Sequence, residues 1–379
     1  MNRLVLIGNG FDLAHGKKTG YIDFIKWYML KCIKLGIGEE SEIEPLITLK
    51  LNKDYPNKSL TDDILMAWIN DWINSNHTLD RFGEAVRGWS GNIAYPFIMK
   101  AESTLLASLL TSCANYGWVD IEAAFYESLT SILVNQKTVH EQESKLKKLN
   151  KAMFIISSEL EEYLRLFQNT TKLNPYQRVI YAPFVHDDLQ SIPGNPLKIG
   201  GGKYISTNNP REVVLLNFNY TDTCESYATP PIFKPAMVIN IHGRLDDDMN
   251  PIIFGFGDEV DKRYEEIENS RSKGWFEYIK SFGYLKTNNY RQLTSFIDSE
   301  QYQIIILGHS CGLSDRTMLQ MIFQHDNCRS IKLYYYGDKE KNNFKQTLHE
   351  VARHFKDKGL MRRRIVSEEN SERMPQFDD

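Results

Sequence analysis

Near the N-terminus, four consecutive apolar residues, Leu4-Val5-Leu6-Ile7, run directly into Gly8-Asn9-Gly10-Phe11-Asp12. A short apolar run without polar interruption has no wet face, so it suits a parallel strand covered on both sides. The glycines that follow allow a sharp turn and the close approach of another group. Amides opening the next helix favour an anion such as a pyrophosphate. Two glycines one residue apart fall short of the full dinucleotide fingerprint, so the loop by itself suits any phosphate ligand.

The same pattern returns late in the chain. Val213-Val214-Leu215-Leu216 leads into Asn217-Phe218-Asn219-Tyr220-Thr221, and Ala236-Met237-Val238-Ile239 into Asn240-Ile241-His242-Gly243. Ile304-Ile305-Ile306-Leu307 ends in Gly308-His309-Ser310-Cys311-Gly312, and Ile331 to Tyr336 ends in Gly337-Asp338. Between residues 32 and 190 the spacing is helical nearly throughout, without a convincing strand; the clearest run is Leu146, Leu149, Met153, Ile156, Leu160, Leu164 and Phe167. These patterns predict an α/β protein: a Rossmann-like, mostly parallel, doubly wound sheet from residues 1–31 and 200–366, with a large all-helical insertion or lid at 32–199. Residues 191–209, including Gly200-Gly201-Gly202, read as a surface loop. Residues 367–379 read as a mobile polar tail.

A chain of 379 residues with 42% hydrophobic content can bury a sizeable core, and a formal charge of −4 offers no general attraction to nucleic acid. Arg362-Arg363-Arg364 is a local basic patch or, more simply, a solvated face. Five scattered cysteines lack any C-x-x-C spacing, which suggests buried thiols and neither a disulfide framework nor a metal site. With no leader pattern and no run of about 20 apolar residues, the expectation is a cytoplasmic protein without a membrane partner.

Ligands of open parallel sheets sit beyond the carboxyl ends of the strands, where strand order reverses. That rule gathers Asn9, Asp12, Asn219, His242, His309 and Ser310 onto one rim. Each also has a plainer explanation: Asn9 as a turn former, Asp12 as a helix cap, Asn219 in an Asx turn, His242 as a core histidine. Asp120 and Glu122, after Tyr116-Gly117-Trp118, either complement a helix dipole or reach the ligand from the insertion.

Taken together, Gly8 to Asp12 with Gly16, Thr19, Tyr21, Asp23 and Phe24, then Trp118 to Glu122, Phe218 to Thr221, His242-Gly243, and Gly308-His309-Ser310 with Asp315 resemble the AbiH-type abortive-infection family of bacterial phage-defence proteins. That family in turn resembles sirtuin-like NAD-binding proteins. The resemblance implies NAD as substrate, no metal, and an unidentified phage trigger; a homo-oligomer is compatible with it. Gly8, Asn9, Gly10, Phe11, Asp12, Thr19, Gly308, His309, Ser310 and Asp315 would contact the dinucleotide, while Asn219 and His242 fall on the catalytic asparagine and histidine. Thr221 stands where sirtuins carry aspartate, and their four zinc cysteines are missing. Hydrolysis of NAD, rather than protein deacylation, is the reaction implied.

Two other functions stay open. Gly308-His309-Ser310-Cys311-Gly312 matches G-x-S-x-G between a strand and a helix, so Ser310 could be a hydrolase nucleophile with Asp338 and His349 or His354 as partners. The same rim would also serve a nucleotide-binding sensor without catalysis.

Overall fold

The computed structural model describes residues 1–36, 42–44, 46–51, 61–74, 97–116, 120–135, 138–168, 174–189, 208–230, 234–270 and 272–377. In chain order its strands are β1 (Asn2–Ile7), β2 (Glu42–Glu44), β3 (Ile47–Leu51), β4 (Phe97–Ala101), β5 (Val213–Asn217), β6 (Met237–Asn240), β7 (Tyr302–Leu307), β8 (Cys328–Tyr335) and β9 (Glu372–Arg373). The chain divides into two units, one of residues 1–19, 164–265 and 279–379, the other of residues 20–163 and 266–278.

The first unit holds a six-stranded sheet in the order β6-β5-β1-β7-β8-β9, with every neighbouring pair parallel. Numbered along this sheet alone, the order is 3-2-1-4-5-6, the Rossmann arrangement, whose reversal falls between β1 and β7. The apolar runs divide by a period of two. Leu4, Leu6, Val214, Leu216, Ile304 and Ile306 face one core, shared with helices Asn289–Ser299, Arg316–Gln324 and Phe344–Arg353. Val5, Ile7, Val213, Leu215, Ile305 and Leu307 face the other, with Phe11, Tyr176 and Tyr181. Because both faces are dry, the strands have no polar alternation. On β1 the polar residues Asn2 and Arg3 are buried as well. The Arg3 guanidinium donates to the carbonyls of Ile180 (3.2 Å) and Ala182 (2.5 Å) and to Gln303 (2.9 Å), tying helix Asn174–Ile180 to the sheet.

The second unit combines helices Tyr21–Gly36, Asp62–Asn74, Thr104–Tyr116 and Ile121–Asn135 and most of Val139–Arg165 with a small antiparallel sheet, β2-β3-β4. This sheet corrects the expectation of an all-helical stretch. Ile47-Thr48-Leu49-Lys50-Leu51 alternates with period two and pairs with residues 97–101, but each strand is too short to stand out between long helical patterns. Residues 21–31, assigned by the sequence to the sheet domain, open helix Tyr21–Gly36. That helix belongs instead to the second unit, where Phe24 and Trp27 meet Tyr163.

Two further expectations change. The polar C-terminal segment docks: β9 extends the sheet, Met374 is buried, the Tyr176 hydroxyl donates to the Pro375 carbonyl at 2.7 Å, and Lys332 bridges Asp188 (3.2 Å) and Glu372 (3.1 Å). Within the basic triplet, Arg362 and Arg363 are exposed, but Arg364 is buried and donates to the Phe323 carbonyl at 2.6 Å. Gly200-Gly201-Gly202 and Gly117-Trp118-Val119 lie outside the described residues. All five cysteines are buried and free, and no described helix is long and apolar enough to cross a membrane.

Candidate functional site

The turns after β1 and β7 meet at the point where strand order reverses, and glycine is what lets them. Gly8 N donates to Leu307 O at 3.2 Å and Gly10 N to Gly308 O at 2.9 Å. A Cβ on Gly8 would stand 2.5 Å from His309 Cα, and one on Gly308, whose φ is +70°, would stand 2.2 Å from Phe11 N. The glycines thus serve the approach of one turn to the other. With Phe11 N donating to Gly8 O at 2.8 Å, the amides of Gly8, Gly10 and Phe11 are all spent inside the protein. The helix that follows, Asn9–Ala14, is under two turns long. What the turns present outward is the exposed side chains of Asn9 and Ser310. Asn9 is oriented by Thr19, whose hydroxyl donates to its Oδ1 at 2.6 Å.

Phe11 and Asp12 point inward. Phe11 packs between His15, Tyr176 and Tyr227, with ring centroids 4.6 to 5.7 Å away. Asp12 is 1% exposed; its Oδ2 accepts the Thr221 hydroxyl at 2.6 Å, and Oδ1 is buried without a partner. Burial raises the Asp12 pKa, opposed by the hydroxyls of Thr221 and Thr223 and by Lys17, whose ammonium donates to Thr223 at 2.9 Å. Asp12 therefore anchors the β1 turn to the turn after β5. On that second turn Asn219 Nδ2 donates to Gly8 O at 3.1 Å, and its own amide donates to Asn217 Oδ1 at 3.1 Å.

Behind the rim lies a buried charged cluster. Asp315, in a short turn ahead of helix Arg316–Gln324, accepts at Oδ1 from Lys280 Nζ (2.9 Å), His242 Nε2 (3.0 Å) and, more distantly, the Tyr284 hydroxyl (3.5 Å). His309 Nε2 stands 3.9 Å from Oδ2. The His242 ring arrives from the turn after β6, with Nδ1 3.2 Å from the Phe218 carbonyl and the Tyr284 hydroxyl 3.3 Å from Nε2. His309 Nδ1 accepts the Cys311 amide at 2.9 Å, which leaves its proton on Nε2. Burial pushes the Asp315 carboxyl up, but Lys280 and His242 outweigh it and hold it well below the usual carboxylate range. Burial, followed by the Lys280 ammonium, lowers the His242 pKa against the pull of Asp315. Burial takes His309 down to about 4. Among the described residues, no group of three or more His, Cys, Asp or Glu is arranged to hold a metal.

A family model for bacteriophage abortive infection AbiH matches residues 4–336, which spans both the rim and this cluster. The chain belongs to the AbiH family. It is thereby placed among proteins of bacteriophage abortive infection. No curated protein matches it.

In this AbiH chain, the sheet brings Asn9, Asn219, His242, His309, Ser310 and Asp315 together at the strand ends. Lys280, Tyr284, Lys17 and Thr223 join them without having been singled out. Lys280 sits in Tyr278-Ile279-Lys280-Ser281-Phe282, where nothing local connects a lysine to an aspartate 35 residues later. The hydrolase triad, by contrast, is not assembled. Asp338 Oδ1 accepts the amides of Glu340 and Lys341, His354 Nε2 donates to the Cys311 carbonyl at 2.8 Å, and His349 is exposed. The left-handed non-glycine residue of the turn is Cys311, φ +56°, where a nucleophile elbow would strain the serine itself. In the second unit, Asp120 Oδ1 accepts the Ala123 amide at 2.9 Å and so caps helix Ile121–Asn135, while Glu122 is buried.

Proposed function

We propose that this AbiH chain is an abortive-infection effector whose rim binds NAD and hydrolyses the bond between nicotinamide and ribose. The observation that carries this reading is that Asn219, His242 and Ser310 each follow the carboxyl end of a strand in a 3-2-1-4-5-6 parallel sheet, the architecture in which dinucleotides bind beyond the strand ends. The likeness of the same motifs to sirtuin-like proteins, in the same order, supports it.

The chemistry asks little of a nucleophile. As the C1′–N bond breaks, its electron pair passes to the pyridinium ring, and nicotinamide leaves neutral. The ribose carbon takes on oxocarbenium character, a water oxygen bonds to C1′, and the proton that water loses needs an acceptor. Among the described residues, Asn219 Oδ1 accepts no bond from the protein, so it is available to a ribose hydroxyl or the water. His242 is assigned the proton. Its two nitrogens face the Phe218 carbonyl and the Asp315 carboxylate, so a ring that gains a second proton has both N–H groups matched. The exposed Asn9 and Ser310 would hold the dinucleotide through side-chain bonds, because the nearby amides are engaged.

The test is NAD concentration in phage-infected cells carrying the wild-type gene, Asn219→Ala or His242→Ala. The expectation is NAD loss with wild type and a reduction of that loss by a factor on the order of 100 in each variant. Persistence of NAD in the wild type, with a nucleotide bound but unaltered, would favour the sensor.

A further inference from the structure

His242 and Lys280 share one oxygen, Asp315 Oδ1, at 3.0 and 2.9 Å, and all three side chains are buried. A buried carboxylate needs a cation. If that cation were His242, the ring would already be an imidazolium and could take no proton from a reacting water. The Lys280 ammonium satisfies Asp315 instead. In the neutral ring only one nitrogen carries a proton, either Nδ1 against the Phe218 carbonyl or Nε2 against the Asp315 carboxylate, and the other is where a second proton is taken up. Also near the ring are the Tyr284 hydroxyl at 3.3 Å, the Tyr220 ring with its centroid 6.4 Å away and, across Asp315, His309, which is neutral with its pKa near 4. Lys280 is the cation that settles the charge of this set.

We propose that Lys280 is a positioning residue that acts through Asp315 to set the orientation and proton occupancy of the His242 ring. Its side chain is buried and its ammonium is engaged with Asp315. Lys280 closes the charge balance of Asp315, and this keeps His242 a proton acceptor near neutral pH. Its part in turnover rests on the reading of His242 given above; its effect on the ring does not. The direction agrees with the lowered His242 pKa, to which the ammonium is the largest contributor after burial.

The experiment is a pH titration of the full chain with isotopically labelled histidines, followed by NMR, with the His242 signal assigned from His242→Gln. Wild-type His242 should titrate below the ordinary 6.5. Lys280→Met should raise its proton affinity by about tenfold or more, and Lys280→Arg, which keeps the charge, should restore most of the difference. If NAD is consumed, the acid limb of kcat/KM should move to higher pH in Lys280→Met by the same factor. A folded Lys280→Met protein with an unmoved His242 titration overturns the proposal. So does wild-type His242 titrating at or above 6.5, which needs no variant to fold. Failure of the wild type to consume NAD would remove the hydrolase reading, while the titration still decides the role of Lys280.

Discussion

Gly308 shows how one missing Cβ shapes the rim. Its φ of +70° and the 2.2 Å that would separate a Cβ from Phe11 N are independent obstacles to any side chain. Gly308→Ala should therefore lower stability by about 2 kcal/mol or more, measured by thermal or urea unfolding. Gly312→Ala is the control. Its Cβ would meet only the hydroxyls of Ser310 and Ser314 at 3.8 and 3.9 Å, so a comparable loss there would show that Gly308 is not special. The glycines were legible as a turn, but their purpose was not. Local sequence suggests room for a phosphate, and only the neighbouring strand reveals that the room is filled by another turn.

Among the elements, the C-terminal strand is the one whose importance composition hides. β9 pairs over only two residues, yet Met374 beyond it is 3% exposed and packs with Val5, Ile7, Phe11 and Tyr176 in the core beneath the β1 turn. Met374→Ala should cost about 2 to 4 kcal/mol in an unfolding experiment, as for a buried residue. Phe377→Ala, at a position 55% exposed, should cost far less. Equal and negligible effects would mean that the segment contributes nothing to the fold. The segment follows Ser367 with charged residues that read as solvated, and they are: Glu372 and Arg373 are exposed. What a residue-by-residue pattern misses is that a strand paired along one edge needs only its backbone and one well-placed anchor.

At the scale of the whole molecule, four buried histidines make stability sensitive to acid. His15, His242, His309 and His354 all have pKa values lowered by burial, so the folded chain resists protons that the unfolded chain accepts. A lowered pKa gives stability that is complete above the unfolded value of about 6.5 and is lost as pH falls towards the folded value. For His309, whose folded value is about 4, the loss amounts to about 3 kcal/mol across that window. Below it, Asp315 adds a second loss in the same direction, since its carboxylate is stabilised in the fold. The melting temperature should fall steadily from pH 6.5 to 4. A flat profile over that range would contradict neutral burial of these rings.

By itself, the sequence determined β1, β5, β6, β7 and β8, their covered faces and their polar or glycine-bearing ends, because short unbroken apolar runs have few other uses. The motifs at those ends also carried the family resemblance, which the match over residues 4–336 bears out. Only the tertiary structure decided which polar groups meet. Asp12 reaches Thr221 across 209 residues and Asp315 reaches His242 across 73, and neither pairing leaves a trace in local spacing. Hydrophobic periodicity is a property of each element, whereas a buried charge finds its partner through the order in which strands are laid side by side.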